Sequence, residues 1–363
     1  MDRYITKWET KSMEDMHNFF KDQKDRDIWR DVPLSQIEIK AYPDRKETPV
    51  DAYMNLYLSI NGEEYPVHET AWKSLIERCK IYGAVLTKLK PNILAEILDT
   101  CLRTAKKTDF ATMLIRDRYV QNVASQNYVV LPMSDVIEII EKAISWGDPQ
   151  LTTCYTDDTI VRILYEVRDA QLLAHYKAKL KEHGLTDEAL LGYKPCLLLQ
   201  SSDVGMSCVT VSAMIVRRQG DYIRCGSCFK IDHDAKVSLD TVEKAASTIF
   251  SSYKGEIERL TDLLSIELEY PVAAMKNAAK KLRLPKKPAA FAIDLFEGSI
   301  TSSDVVTAHD VYIAFQEVLY KMRQQPEKYT DAKIYQVEED MTRLLHMEWG
   351  DFDYPSVDSN EKK

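Results

Sequence analysis

Six cationic side chains stand within a twelve-residue segment that contains no acidic residue, and they are the strongest chemical signal in this sequence. The apolar residues Met275, Ala279 and Leu282 recur between them at helical spacing, which predicts a helix with a buried stripe and a cationic neighbouring face. Ammonium and guanidinium groups on one face can contact the phosphates of nucleic acid, with release of condensed counterions. The predicted contact residues are Lys276, Lys280, Lys281, Arg283, Lys286 and Lys287.

A solvated face is the alternative interpretation of these cations. The preceding segment, residues 256–269, is rich in Asp and Glu, so the basic residues could pair with it instead of with phosphates. A second group of basic residues lies at predicted strand ends. If the two groups share a face of the protein, phosphate contact becomes the stronger interpretation. Its members are Arg116, Arg118, Arg224, and the two further predicted nucleic-acid-binding residues, Arg217 and Arg218.

Cys225, Cys228 and His233 have the local spacing of a metal site. A structural zinc needs four ligands, and the second pair is missing; Cys196 and Cys208 could complete the set only if the hairpin strands bring them together. Buried free thiols are the favoured interpretation. A redox role is disfavoured, because this Cys-x-x-Cys does not open a helix that would lower the thiol pKa. We therefore predict no metal and no cofactor.

No catalytic residue is predicted from the remaining polar motifs. Asp232-His233-Asp234 could hold a divalent cation or a base and its orienting group, but a charged triplet after a strand is usually a solvated turn. His309 lies near the buried stripe of a helix and favours a core histidine. The segment 202–205 lacks the nucleophile-elbow pattern. It predicts a turn in which Asp203 caps backbone amides and Gly205 takes an unusual dihedral angle.

Composition and charge limit the functional classes to which this protein can belong. The chain has 363 residues, a formal net charge of −9 and seven cysteines. Global acidity repels nucleic acid at long range, so any binding must come from a local basic patch. No apolar run approaches the roughly 18 residues of a membrane span, and the first residues show no apolar signal region. An odd number of scattered cysteines favours a reducing cytoplasm.

Strand and helix patterns alternate along the chain without a regular βαβ order. A central hairpin is predicted from residues 207–218 and 222–225, around the turn 219–221. Other predicted strands are 52–60, 63–67, 110–116, 151–156 and 159–167. Predicted helices are 13–20, 69–82, 91–102, 134–146, 169–183, 242–264, 271–284, 303–322 and 331–346, with Gly255 a weak point and residues 285–288 a break.

The predicted fold class is α+β, with central antiparallel β-hairpins, packed helices and a helical C-terminal third. The length allows two closely joined lobes. We predict an extended N-terminal arm at 1–50, because of its three prolines, and a mixed α+β core at 51–240. A helical part at 241–350 should pack on that core, and 351–363 should form a flexible tail.

The order of these pieces resembles the phage- and plasmid-borne family called domain of unknown function 932. The resemblance covers roughly residues 50–325 and is carried by short motifs: Ile115–Val120, a helix like Val136–Ile140, Ser202–Gly205, Val216–Arg218, Cys225-Gly226, His233 and Val306–Tyr312. Gly226-Ser227-Cys228 departs from the usual polar pair, and the aromatic-rich middle of many members is missing. The resemblance implies a phage, prophage or plasmid origin and no particular activity.

Three functional hypotheses follow. The first is a non-catalytic cytoplasmic protein of a mobile element that binds nucleic acid, especially single strands, in DNA metabolism, recombination or annealing. The second is a protein-interaction module in host takeover or counter-defence, with a host or phage protein as partner, for which net acidity is no obstacle. The third is an enzyme of unassigned reaction. The sequence is compatible with a homo-oligomer and predicts no membrane partner.

Overall fold

The computed structural model describes residues 7–42, 55–104, 109–205, 207–218, 221–234, 236–301 and 305–355. These residues form an α+β fold of antiparallel sheets and packed helices, which confirms the predicted fold class. Within the described ranges, no helix is both long enough and apolar enough to cross a membrane.

The strands form three antiparallel sheets in the described part of the chain. One has six strands in the order β1-β8-β9-β10-β11-β12; the others have the orders β2-β6-β7 and β3-β4-β5. The strands are β1 (Trp8–Thr10), β2 (Ile28–Pro33), β3 (Ile37–Ala41), β4 (Leu56–Ile60), β5 (Glu63–Pro66), β6 (Phe110–Arg116), β7 (Tyr119–Ser125), β8 (Gln150–Thr156), β9 (Val161–Glu166), β10 (Lys194–Ser201), β11 (Val209–Arg218) and β12 (Asp221–Ile231).

The helices of the described residues are most frequent after β12. They are α1 (Met13–Arg26), α2 (Ala71–Arg78), α3 (Pro91–Thr104), α4 (Met133–Ala143), α5 (Ala174–Glu182), α6 (Asp187–Leu190), α7 (Leu239–Ala246), α8 (Ile249–Asp262), α9 (Pro271–Lys281), α10 (Lys286–Ser299), α11 (Ala308–Ala314), α12 (Gln316–Arg323) and α13 (Asp331–Thr342).

The predicted hairpin is confirmed as β11 and β12. Only β11 is central, since β12 is the edge strand of the six-stranded sheet. Because side chains alternate across a strand, Val209, Val211 and Ala213 enter one hydrophobic core, while Ser212 lies on the opposite face. That first core also takes in most of the helices after β12.

A second hydrophobic core lies between the two three-stranded sheets and the helices α2 and α3. Leu58 of β4, Leu75 of α2 and Leu98 of α3 are fully buried in it. The two cores cross the predicted domain boundaries, since Met16 and Phe20 of α1 pack with the first core. The boundaries at residues 50, 240 and 350 stay a prediction.

Residues 7–42 are not an extended arm, so this expectation is wrong. They form β1, α1, β2 and β3, and Ser12 caps α1 by accepting a hydrogen bond from the amide of Asp15. Pro33 ends β2, an edge strand, where a missing amide donor is tolerated. Pro43 and Pro49 lie outside the described residues.

The helix predicted over 242–264 is divided into α7 and α8, and the division is not at Gly255. The hydroxyls of Ser247 and Thr248 donate to the carbonyls of Lys244 and Ala245, at 2.7 and 2.8 Å. Such local bonds compete with continued helix. The predicted helix 303–322 is likewise two helices, α11 and α12, and α11 begins only after Thr307.

The break predicted at 285–288 is wrong, because the fourteen-residue helix α10 begins at Lys286. Pro288 lies in its first turn, where a helix amide has no acceptor and proline is tolerated. Residues 351–355, predicted to begin a flexible tail, are held in place, and residues 356–363 lie outside the described part of the chain. Asp353 accepts hydrogen bonds from the amides of Glu269 and Tyr270, at 2.8 and 2.6 Å, which fixes the segment at the start of α9.

Replacing Val211 by Asp should unfold the protein or lower its free energy of unfolding by several kcal/mol, because a carboxylate would lie unpaired in the first core. Val85→Asp is the matched control, since Val85 is 62% exposed. Chemical denaturation followed by circular dichroism measures both. Equal stability of the two variants would contradict the burial of β11 in the first core.

Candidate nucleic-acid interface and an open polar cleft

The basic hairpin, residues 276–287, consists of the end of α9, a short connection and the start of α10. In the connection Leu282 and Leu284 are buried, while Arg283 between them is exposed and has a φ of 55°. All six predicted cations are exposed, and none forms an ion pair with a residue that the structure describes. The acidic helix α8 does not neutralise them: its Glu256 lies near Arg259 and His346 instead.

Helix geometry adds to the positive potential of the basic hairpin. Lys286 and Lys287 lie in the first turn of α10, which contains no acidic residue. The helix macrodipole places partial positive charge at the N-terminus of α10. The two lysines there are repelled by this charge, and a bound anion would be stabilised by it. The arrangement concentrates positive charge with no internal counter-charge in the described residues.

The second basic group has a different fate. Arg116 and Arg224 are buried. Arg217 is half-buried and donates to Asp221 at 2.8 Å. Arg118 is exposed in the β6–β7 turn, and the side chain of Arg218 lies outside the described part of the structure. Strand-end arginines therefore do not extend the cationic surface as the sequence had suggested, because acidic partners and burial occupy most of them.

Arg116 joins the two cores through Asp27 and Asp203. Its guanidinium donates to both carboxylate oxygens of Asp27, at 2.5 and 2.8 Å, and lies 3.4 Å from Asp203. Burial raises the pKa of Asp203, although Arg116 opposes this effect. Asp203 thus pairs with an arginine rather than capping the turn. Ser202 takes the capping role, accepting from the amide of Val204 at 3.3 Å; Gly205 has the expected left-handed φ of 73°.

Cys225 and Cys228 both point into the first core. Spacing of three would place them on opposite faces of a regular strand, but the register between β11 and β12 shifts at each of them. Burial raises the pKa of Cys228 to about 12 and that of Cys225 above its ordinary value, so both remain thiols. All seven cysteines are free. The described residues contain no group of three His, Cys, Asp or Glu side chains that could hold a metal.

His309 is a buried core histidine, as predicted. Its Nε2 lies 2.7 Å from the hydroxyl of Tyr176. Burial lowers the pKa of His309 to about 4. The imidazole is therefore neutral at physiological pH and serves the packing of α11.

A buried charge network, which sequence reasoning missed, lies on the second face of the six-stranded sheet, which also carries a small apolar cluster of Leu164, Cys196, Leu198 and Met214. Arg162 of β9 donates to Glu338 of α13 at 2.7 Å and to Gln200 of β10 at 2.9 Å. Arg224 of β12 donates to Ser212 at 2.8 and 3.2 Å and lies 3.7 Å from Glu338. Burial alone would raise the pKa of Glu338, but the neighbouring arginines outweigh it and the pKa is lowered.

Two sequence signals could have indicated this network. Arg162 interrupts an apolar strand between Val161 and Ile163, and Glu338 falls on the buried stripe of its helix beside Val337 and Met341. Taken separately, Arg162 and Glu338 are each a charged residue at a position where the pattern predicts an apolar one. Only the fold, which brings together residues 176 positions apart, makes them a pair.

An open cleft of about 660 Å³ lies against this network. Its lining includes Tyr128 and His233 on one side, Gln200 and Lys230 at the ends of β10 and β12, and Lys333 of α13. His233, expected in a solvated turn, is half-buried and stacks on Tyr128.

Comparison with family models, with curated proteins and with solved structures found no match. The resemblance to the mobile-element family therefore stays a prediction, and functional inference depends on the chain's own geometry.

Glu338→Gln should lower the free energy of unfolding by about 3–5 kcal/mol, because it leaves two buried arginines without a counter-charge. Glu258→Gln, at an exposed position of α8, should change it by less than about 0.5 kcal/mol. Urea denaturation at neutral pH measures both. Equal midpoints for Glu338→Gln and wild type would contradict the role of the network.

The same pair predicts a pH dependence. The pKa of Glu338 is lower in the folded chain than its ordinary value of 4.5. Its stabilisation is therefore complete above that value and is lost as the pH falls through the folded-state pKa. The stability difference between wild type and Glu338→Gln should shrink in that acid range.

Purified protein should contain no stoichiometric zinc, because the Cys225 and Cys228 thiols are buried and hard to deprotonate. Elemental analysis is the measurement. About one zinc per chain, lost in Cys225→Ser, would contradict it.

Proposed function

We propose that this chain binds nucleic acid through the basic hairpin, without catalysing a reaction on it. The observation that carries the proposal is the set of six exposed cations with no acidic partner in the described residues. Surface lysines that serve only solubility usually stand among acids of opposite sign. A segment of one sign within an acidic chain is better suited to a polyanion, whose phosphates release counterions on contact.

Single strands are the preferred form of nucleic acid in this proposal. Helix α12 packs against α10 and exposes Tyr320 to 53% of its surface. An exposed aromatic ring on a helix that packs against α10 can stack on an unpaired base, which a duplex does not offer. A role in DNA metabolism or recombination of a mobile element, in a reducing cytoplasm, agrees with the resemblance and with the free thiols.

A protein-interaction module remains the alternative, and binding assays separate the two. Contact with phosphates weakens steeply as salt rises, whereas capture of a host protein that persists after nuclease treatment would favour the alternative.

Changing Lys276, Lys280 and Arg283 together to Ala should weaken binding to a single-stranded oligonucleotide at low salt. The slope of log affinity against log salt should flatten by up to about three phosphate equivalents, near 0.7 each for single strands. Fluorescence anisotropy measures both quantities. The fold should persist, because all three side chains are exposed.

The matched control replaces Lys142, Lys179 and Lys328 by Ala. It removes the same charge from surface lysines, one of them half-buried, that already pair with Glu243, Glu182 and Glu327. This control should retain the affinity and the slope of wild type. Absence of binding by wild-type protein at about 50 mM salt, or an equal loss in both triple variants, would reject the basic hairpin as the interface.

A further inference from the structure

The buried charge network behind the wall of the polar cleft carries surplus positive charge. Arg162 and Arg224 are both buried, and in the described residues Glu338 is the one carboxylate within ion-pair distance of either. Arg162 contacts two residues that line the cleft. It donates a hydrogen bond to Gln200, and its guanidinium lies 3.8 Å from the ring centre of Tyr335. Because buried charges are weakly screened, an anion in the cleft would be stabilised.

Two lysines at the rim add to this potential. Lys333 is exposed in the first turn of α13, and Thr330 caps that helix beside the cleft. Lys230 is exposed as well, although it pairs with Glu339 at 3.0 Å. The start of α13 contributes partial positive charge in the same place, although its first turn also holds Asp331. The two lysines, the helix start and the buried arginines behind the cleft wall together favour the binding of a phosphate group.

The opposite wall is aromatic. The rings of Tyr128 and His233 are parallel, with centres 4.9 Å apart, and Trp29 stacks on Tyr128 at 5.6 Å. The His233 Nδ1 lies 3.0 Å from the carbonyl of Val129, so this nitrogen carries the proton and donates. Its Nε2 has no hydrogen-bond partner in the described structure. The Nε2 atom is itself buried, so the cleft offers the surface of a rigid ring, which can stack on a planar heterocycle.

We propose that this cleft binds a nucleoside phosphate, with the phosphate near Lys333 and Lys230 and the base against His233. The cleft volume of about 660 Å³ is adequate, since small-molecule sites are roughly 300–1,000 Å³. Asp232, an exposed acceptor in the lining, can take hydrogen bonds from sugar hydroxyls or exocyclic amines. The ligand is a free mononucleotide or the terminal nucleotide of a strand. The site goes beyond the basic hairpin and does not depend on it.

Isothermal titration of the full chain with the common ribo- and deoxyribonucleoside monophosphates tests the proposal. At least one should bind saturably with a Kd below about 1 mM, and inorganic phosphate or the bare nucleoside should bind about tenfold more weakly, a difference of about 1.4 kcal/mol. No binding up to about 5 mM by any of them, or equal binding of phosphate alone, would overturn it.

Two variants locate the site. Lys333→Glu should weaken nucleotide binding at least tenfold, whereas Lys328→Glu, an exposed lysine outside the lining, should leave it unchanged. His233→Ala should reduce the preference for nucleotide over phosphate. Lys333→Glu keeps the test decisive even if His233→Ala fails to fold, because Lys333 is exposed. Unchanged binding in Lys333→Glu would overturn the assignment.

Competition separates the two sources of ligand. A 5′-phosphorylated oligonucleotide that displaces the mononucleotide, when its unphosphorylated form does not, identifies a strand end; no displacement by either identifies a free nucleotide. Either outcome supports the site. In the Lys276, Lys280 and Arg283 triple variant, mononucleotide binding should persist, so failure of the basic hairpin and failure of the cleft give different results.

Discussion

The ion pair of Glu338 with Arg162 decides how the second face of the six-stranded sheet is covered. The first face is apolar and packs against helices, as hydrophobic alternation requires. The second carries Arg162, Arg224 and Gln200 beside a small apolar cluster, and α13 can cover the charged residues only because Glu338 enters with it. A buried pair of this kind gains little net stability but penalises every other placement of the helix. The same requirement leaves net positive charge behind the wall of the cleft.

A second polar joint links the two hydrophobic cores. Arg116 of β6 holds Asp27 at the end of α1 and approaches Asp203 in the turn after β10. Each core could exclude water without the other, since their buried residues form separate clusters. The Arg116 contacts fix the orientation of one core relative to the other. Tyr128, which is part of the aromatic wall of the cleft, donates a hydrogen bond to the Asp203 carbonyl at 3.2 Å and so lies at the same junction.

Arginines and lysines therefore have two separate roles in this chain. Where an acidic residue is brought close by the fold, as for Arg116 and Arg162, the cation is buried and structural. In the basic hairpin no acid is brought close among the described residues, and the cations remain available to a ligand. Net charge does not distinguish these cases; position in the fold does, because a phosphate can compete only for a cation that solvent also reaches.

Local patterns predicted the strands of the central hairpin and several others, several helices and the exposure of the basic hairpin, because alternation and helical spacing act over a few neighbouring residues. They missed β1, β2, β3 and β7. They failed at 242–264 and at Pro288, where hydroxyls and position in a helix turn decide the ends. Only the tertiary structure decided the partners of Arg116 and Arg162, which lie 89 and 176 positions away. Long-range pairing follows from how the sheets pack, and no local pattern contains that information.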